Sequence, residues 1–490
     1  MQLHVTDPLF AWIRLEDQPA LSTLRDLLAI LPDEDLLKGL REARGNGRDD
    51  YPVAVLWGVV LFTIALRHPA FEACLAELHR NAPLCRLIAI PSVDKIPNDY
   101  NVSRFLEVLG TEPHLTEVRK VFNVLVQRLG IAVPDLGVHD AADSTGLNAR
   151  PKKNADAVAE EVKQGLPQPS GGRKEYKDDE GKVVKVVEWF GFKHHMLVDV
   201  KHEVPLAYAI TDTKAGDNEL VGQLVEQAKA NLPPERIKTL AYDKAGDDAK
   251  VHELLHQEGI KPLIQMRSLW KKEEDQERPL PTKEGRRYPL NVLHDEAGTI
   301  YCFDMVSDPP VRHQMSFIGY EKDREELKYR CPSLHEGWER PCPSVERCNE
   351  NKTYGLAVRV PCELDLRRFP PIPRATLQFE RRYKGRTAVE RVNARMKVFW
   401  GIDDGNVTGA RRFHAYTGVV MIVCVAFATL LARTARREGS MGDTRLGPIA
   451  LALQEAALDG QAEQKGSPTL PPDALAAQPL ADAPAQPDSS

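Results

Sequence analysis

The sequence predicts an α/β fold: a mixed sheet flanked by helices, interrupted by a β-rich insertion and preceded by an all-helical N-terminal domain. Three observations predict it. Residues 1–130 carry apolar side chains at helical spacing. Residues 131–266 alternate β-branched and aromatic runs with helical periods, in the order strand, strand, strand, helix, strand, helix, strand. Residues 267–374 lose the helical period for charged, proline-bearing, short-strand sequence, and the period returns in 375–436.

Taken in order, helical spacing runs through Asp33–Arg44, Val53–Leu66, Phe71–His79 and Leu115–Leu129, broken at Gly45-Asn46-Gly47 and over Pro91–Asp99. A short strand is expected over Leu136–Ala142, ending at Asp143-Ser144-Thr145. The polar stretch Arg150–Lys182, with Pro167, Pro169 and Gly171-Gly172, reads as a mobile excursion. A hairpin follows, Phe192–Val200 and Val204–Thr211 about a turn at Lys201–Glu203; His194 and His195 adjoin it as surface polar groups. Asp217 is placed to cap a helix over Glu219–Ala230. A strand at Lys238–Tyr242 then delivers Asp243, before a helix over Asp248–Gln257 and a strand over Ile260–Met266. After the insertion come a helix over Tyr383–Phe399 and an apolar helix around Ala415–Ala432. Residues 437–490 end in an Ala/Pro/Gln/Asp tail that cannot bury enough surface to order itself.

With 490 residues and 42% hydrophobic composition, the chain is long enough for two or three domains, each with its own core. Met1–Asp17 carries charges where a signal segment would be apolar, so the expected compartment is cytoplasmic, in association with the nucleoid. The apolar run Gly418–Ala432 is 15 residues long, short of the roughly 20 that a bilayer span requires, and reads as a buried helix. The formal charge of −6 excludes a uniformly basic nucleic-acid coat, so a phosphate-binding surface has to be local. One candidate stands out. Arg374 to Arg412 holds ten Lys/Arg against four acids, while Leu446 to Ser490 holds six acids and one lysine, which hides the basic segment in the average.

Inside that segment Tyr383, Arg386, Glu390 and Lys397 follow the spacing Tyr-x2-Arg-x3-Glu-x6-Lys. On one continuous helix they fall within an arc of roughly 60°, with Val389, Val392, Met396 and Phe399 on a separate, buried stripe. Two cations and a phenol thus surround one carboxylate, which suits a metal-binding acid working beside phosphates. The alternative is an ordinary i,i+4 ion pair between Arg386 and Glu390. Two-metal phosphoryl chemistry needs acids from separate elements to converge, and Asp143, Asp243 and Glu390 are the candidates. Asp140 competes with Asp143, but three positions apart on a strand the two face opposite ways. Each aspartate taken singly also suits a turn or a helix cap.

These residues resemble a DDE transposase of a bacterial insertion sequence, in the group with the Tyr-x2-Arg-x3-Glu-x6-Lys signature. His139–Leu147 looks like that family's first-aspartate strand, and Leu240–Met266 like its second-aspartate strand and following helix. Phe190-Gly191-Phe192-Lys193, Pro205-Leu206-Ala207 and Asp217 resemble the segment between, and Ile96–Leu109 resembles part of its N-terminal helices, so the resemblance spans about residues 20–435. The aromatic residue that commonly follows the second aspartate is missing from Asp243-Lys244-Ala245-Gly246-Asp247.

The resemblance implies an RNase H-like fold whose Asp143, Asp243 and Glu390 bind Mg²⁺ or Mn²⁺. It implies cleavage at element ends to free a 3′-hydroxyl that attacks target DNA. Tyr383, Arg386 and Lys397, with Arg391 and Arg395 beside them, would contact DNA phosphates. The expected partners are double-stranded DNA, as terminal inverted repeats and target, and a second copy of the chain; the helical domain would bind DNA ends or dimerise. A DNA-binding protein that has lost catalysis and a nuclease of the same fold are the alternatives.

Eight cysteines occur, without a C-x2-C pair. Cys331, His335, Cys342 and Cys348, with Cys302 nearby, form a candidate structural Zn²⁺ set, whereas Cys74, Cys85 and Cys424 lie in apolar helices and read as core.

Overall fold

In a computed structural model the chain is described over residues 19–434, apart from 47–49, 179–181, 268–269, 271–276, 282–286, 336–341, 350–352 and 404–406; the tail 437–490 lies outside the described residues. Among the described residues seven helices come first: α1 (Pro19–Ile30), α2 (Glu34–Arg44), α3 (Val53–Ala65), α4 (Phe71–Arg80), α5 (Ala82–Leu87), α6 (Asp99–Leu109) and α7 (His114–Ala132). α1 and α5 lie outside the helices that periodicity predicts. α3 is buried on nearly every side, and its neighbours present one apolar face each to it or to the sheet.

The central sheet has six strands: β1 (His139–Asn148), β2 (Ser170–Lys177), β3 (Val183–Asp199), β4 (Pro205–Thr211), β5 (Thr239–Tyr242) and β6 (Lys261–Ile264). β1 runs antiparallel to β3 and parallel to β5, and β6 extends the parallel side. β2 pairs with the N-terminal half of β3, and β4 with its C-terminal half. Helices α8 (Ala155–Lys163), α9 (Asp217–Asn231) and α10 (Ala249–Gln257) connect them. The sheet is therefore mixed, as the order of elements predicts.

Several local expectations are corrected. β1 continues through Asn148, since residues 143–148 find partners along the unusually long β3, so Asp143 sits inside a strand rather than at its end. Much of the polar stretch 150–182 is built structure. Glu161 of α8 is fully buried and accepts hydrogen bonds from Lys152 Nζ (3.1 Å) and from the Ala410 and Arg411 amides (3.2 and 3.4 Å) at the start of the last helix. His194 and His195 are 1% and 0% exposed, because β3 lies inside the sheet, and desolvation holds both imidazoles well below their ordinary value.

The insertion folds into two small sheets, β7 (Arg278–Pro279) to β10 (Arg312–Gln314) and β11 (Ser316–Glu321), β12 (Glu326–Arg330) and β13 (Ala357–Pro361), with β8 (Val292–His294) and β9 (Ile300–Phe303) inside the first. α11 (Val345–Asn349) lies between β12 and β13. The insertion has a core of its own, including Val292, Ile300, Leu327 and Val360. The N-terminal helices do not: they share one continuous core with the main sheet.

Beyond the insertion come α12 (Leu377–Tyr383), a 3₁₀ turn over Lys384–Arg386, α13 (Thr387–Val398) and α14 (Ala410–Thr434). α14 spans 25 residues, longer than the apolar run suggests, and by length and composition it could cross a membrane. Its most apolar window is 83% buried, and it packs against α7, α6 and α3 as the spine of the shared core.

Candidate active site

The sheet places the two aspartates. β1 and β5 pair in parallel with Asp140 opposite Leu240 and Ala141 opposite Ala241, so the same register sets Asp143 beside Asp243 just past the end of β5. Neighbouring strands lie about 4.8 Å apart. Each carboxylate is already oriented by a backbone amide: Ser144 N–H donates to Asp143 Oδ1 (2.8 Å), and Ala245 N–H to Asp243 Oδ1 (2.7 Å). Asp243 thereby caps the 3₁₀ turn Lys244–Gly246, so capping and site geometry coincide in one side chain. Burial first, and then the Asp243 charge, push the Asp143 carboxyl up to about 6, against the pull of the Ser144 amide, Lys174 and Arg386. Asp140, by contrast, is 1% exposed and faces away with Asp199; desolvation and that neighbour raise its carboxyl well above the usual value, and neither of its oxygens finds a hydrogen-bond partner.

Glu390 arrives from the first turn of α13, half exposed, and accepts from Arg386 Nη2 at 2.6 Å. The four signature residues do not share one continuous helix, because the 3₁₀ turn separates Tyr383 and Arg386 from α13. Arg386 still reaches both sides, feeling the charges of Glu390 and Asp143, and the Tyr383 hydroxyl lies in the fields of Asp243, Arg386 and Glu390. The Tyr383 ring is fixed by stacking on Phe379 (5.5 Å, 9°). Lys397 reaches back to β1, donating to the Gly146 carbonyl (2.5 Å), with Asp403 at 3.4 Å.

Other basic residues of this segment serve the fold. Arg395 is buried, and with Arg391 it clamps Glu203 of the β3–β4 turn, both at 2.6 Å. That corrects the expectation for Arg395, which is closed off from a DNA phosphate; Arg391 keeps half its surface exposed. Arg374 donates to the Ile264 carbonyl, and Arg411 and Arg412 bind Glu107. The positive surface of the segment narrows to Arg381, Arg382, Lys384, Arg386, Arg391 and Lys397.

Two residues join the site without a signal in the sequence. Lys174 of β2 contributes to the field at Asp143. Trp189 lies across β1 and β2 where a side chain at Gly146 or Gly172 would come within 2.4 Å of its ring.

Among the described residues, no group of three or more acidic, histidine or cysteine side chains is arranged to hold a metal ion. The donor chemistry at the aspartate pair nonetheless fits a hard divalent cation: two adjacent carboxylates, each with one oxygen tethered to an amide and the other outside that bond. Glu390 would complete the set only on release from Arg386.

Residues 138–425 match the family described as the transposase DDE domain. The chain belongs to that family. The matched span starts at β1 and runs into α14, so it takes in both aspartates, the insertion and Glu390. Among curated proteins none matches the chain. Among solved structures, the DDE-domain chain is similar to a piggyBac transposase in a synaptic complex with hairpin DNA, at 12% identity and a TM-score of 0.36, over 92% of this chain and 83% of that one.

Proposed function

We propose that this protein is a metal-dependent DNA transposase that cuts the ends of a mobile element and joins the freed 3′ ends to target DNA. The observation that carries the reading is the convergence of Asp143, Asp243, Tyr383, Arg386 and Glu390 beside the mixed sheet, close enough for their fields to overlap. Asp143, Asp243 and Glu390 would hold Mg²⁺ or Mn²⁺, which supplies activation of a water or hydroxyl nucleophile and stabilisation of the leaving oxygen. Arg386 has the double role of pairing with Glu390 before DNA arrives and with a phosphate afterwards, freeing the carboxylate as it moves. Tyr383 can donate its hydroxyl to a phosphate oxygen, and Lys397 contributes charge beside β1. Terminal inverted repeats, a target duplex and a second copy of the chain on DNA are the partners in this reading, and the cytoplasm its location.

The test uses labelled duplexes carrying the repeats that flank the coding region, with Mg²⁺. Wild type should nick the duplex and transfer the labelled 3′ end into a second one, while Glu390→Gln should cut roughly 1,000-fold more slowly and bind DNA within a few-fold of wild type. Nicking without transfer would mark a nuclease. Binding by both proteins with no nicking by either would leave a DNA-binding relative, the reading that the Arg386–Glu390 pair favours.

A further inference from the structure

The insertion gathers four thiols that the phosphoryl-transfer reading does not use. Cys302 on β9, Cys331 just after β12, Cys342 in the turn before α11 and Cys348 on α11 all line one cavity, together with His313 on β10. Their spacing, x28, x10 and x5, is unlike a zinc ribbon, which is why the linear sequence points to no more than part of the set. The fold assembles it: β9 and β10 pair Cys302 with His313 across strands, and the Cys331 amide is fixed on the Leu356 carbonyl at 2.8 Å. His335, the expected fourth ligand, does not line the cavity.

We propose that Cys302, Cys331, Cys342 and Cys348 bind one structural Zn²⁺ that staples the two small sheets and α11 of the insertion together. Three observations support it. All four cysteines are free, so no disulfide competes. Amide donors approach two of the sulfurs, Asn349 Nδ2 at 3.9 Å from Cys331 Sγ and Asn291 Nδ2 at 4.0 Å from Cys348 Sγ, as groups that orient metal-bound thiolates do. His313 is buried at the same cavity with its Nε2 unbonded, 3.9 Å from Asp304 Oδ2, which provides a polar neighbour for a charged centre.

The insertion also needs such a staple. Its core is a small set of residues on strands of two to six residues, too little apolar burial to order the unit firmly. The four sulfurs line the cavity without forming a closed coordination shell. Closure requires the four thiols to turn toward one centre.

The test is metal analysis of the full chain purified under reducing conditions, which does not depend on any DNA activity. About one Zn²⁺ per chain is expected, and replacement by Co²⁺ should give the intense visible bands of a tetrahedral tetrathiolate site. Cys302→Ser and Cys348→Ser should each lower Zn²⁺ affinity at least about tenfold, measured with a competing chelator, while Cys85→Ser and His335→Ala leave it unchanged. Reading the Co²⁺ spectrum on the wild-type chain keeps the test valid if a variant fails to fold. Four thiols reacting freely in metal-free, folded wild type would overturn the proposal. So would an iron–sulfur absorption spectrum, or Zn²⁺ lost in His335→Ala and retained in Cys302→Ser.

Discussion

Asp143 carries two burdens at once. Its ordinary value is 3.8, and in the folded protein burial and Asp243 move it to about 6. Between those values the folded chain holds a proton that the unfolded chain has released, so stability falls as pH rises through that window and the penalty is complete above it. Asp143→Asn removes the penalty. Without divalent metal, the variant should melt above wild type at about pH 8 and together with it at about pH 4. Saturating Mg²⁺ should then raise the melting temperature of wild type and not of the variant, because the cation binds only the carboxylate. A variant that melts at or below wild type at every pH would mean that folding does not raise the Asp143 carboxyl. That a strand leads to Asp143 was legible in the sequence. Its position within β1 was not, because Asp143–Asn148 extend the strand by pairing with Gly191–Met196 of β3, a partner remote in sequence. Asp243 was legible as a strand-end acid for a local reason: the turn that it caps is encoded in the next three residues.

α13 shows where periodicity informs and where it misleads. Val389, Val392 and Met396 form the buried stripe that the 3.6-residue period demands. The same period carried backwards runs Tyr383 and Arg386 into a helix that in fact changes pitch at Lys384–Arg386. A tertiary contact forces the change: a side chain at Gly385 would come within 2.6 Å of Val200 Cγ1, so the chain crosses the β3–β4 turn with its backbone close against it. Glu203, in that turn with a φ of 56°, then receives Arg391 and Arg395. These bonds tie α13 to the β3–β4 turn, and they span more than 180 residues of sequence, beyond the reach of any local pattern. Glu203→Gln leaves Arg395 buried beside a neutral amide and should cost about 3 kcal/mol in urea unfolding. Adding Arg395→Met should restore part of that loss, since replacing both members of a buried pair removes the uncompensated charge. Equal losses in the single and double variants would show that Arg395 finds another partner.

The insertion and the main sheet meet through Asp247, four residues past Asp243. Its carboxylate is fully buried and accepts both Arg367 Nε (2.9 Å) and Nη2 (2.7 Å), the Arg267 amide (2.7 Å) and an approach of His252 Nε2 (3.3 Å). Arg267 opens the insertion and Arg367 lies near its end, so a single side chain gathers both crossings of the boundary. The change in composition at the edges of the insertion was legible in the sequence. The clamp was not, since an aspartate just after a functional one reads as a turn residue and its partner is 120 positions away. Burial alone would raise the Asp247 carboxyl, but His252, Arg367 and the Arg267 amide overcome it and hold the group well below the usual carboxylate range. A depressed carboxyl contributes stability that is present above its unfolded value and lost only as pH falls through the folded one, so the clamp persists through mild acid. Asp247→Asn weakens charge-assisted bonds worth about 1.5–3 kcal/mol each, and amide exchange across residues 278–369 should quicken about tenfold or more while α3, α7 and α14 stay protected. The difference should be the same at about pH 7 and about pH 5. Faster exchange at the lower pH alone would assign the boundary to protonation of His252, and uniform acceleration through α14 would make the insertion and the main core one cooperative unit.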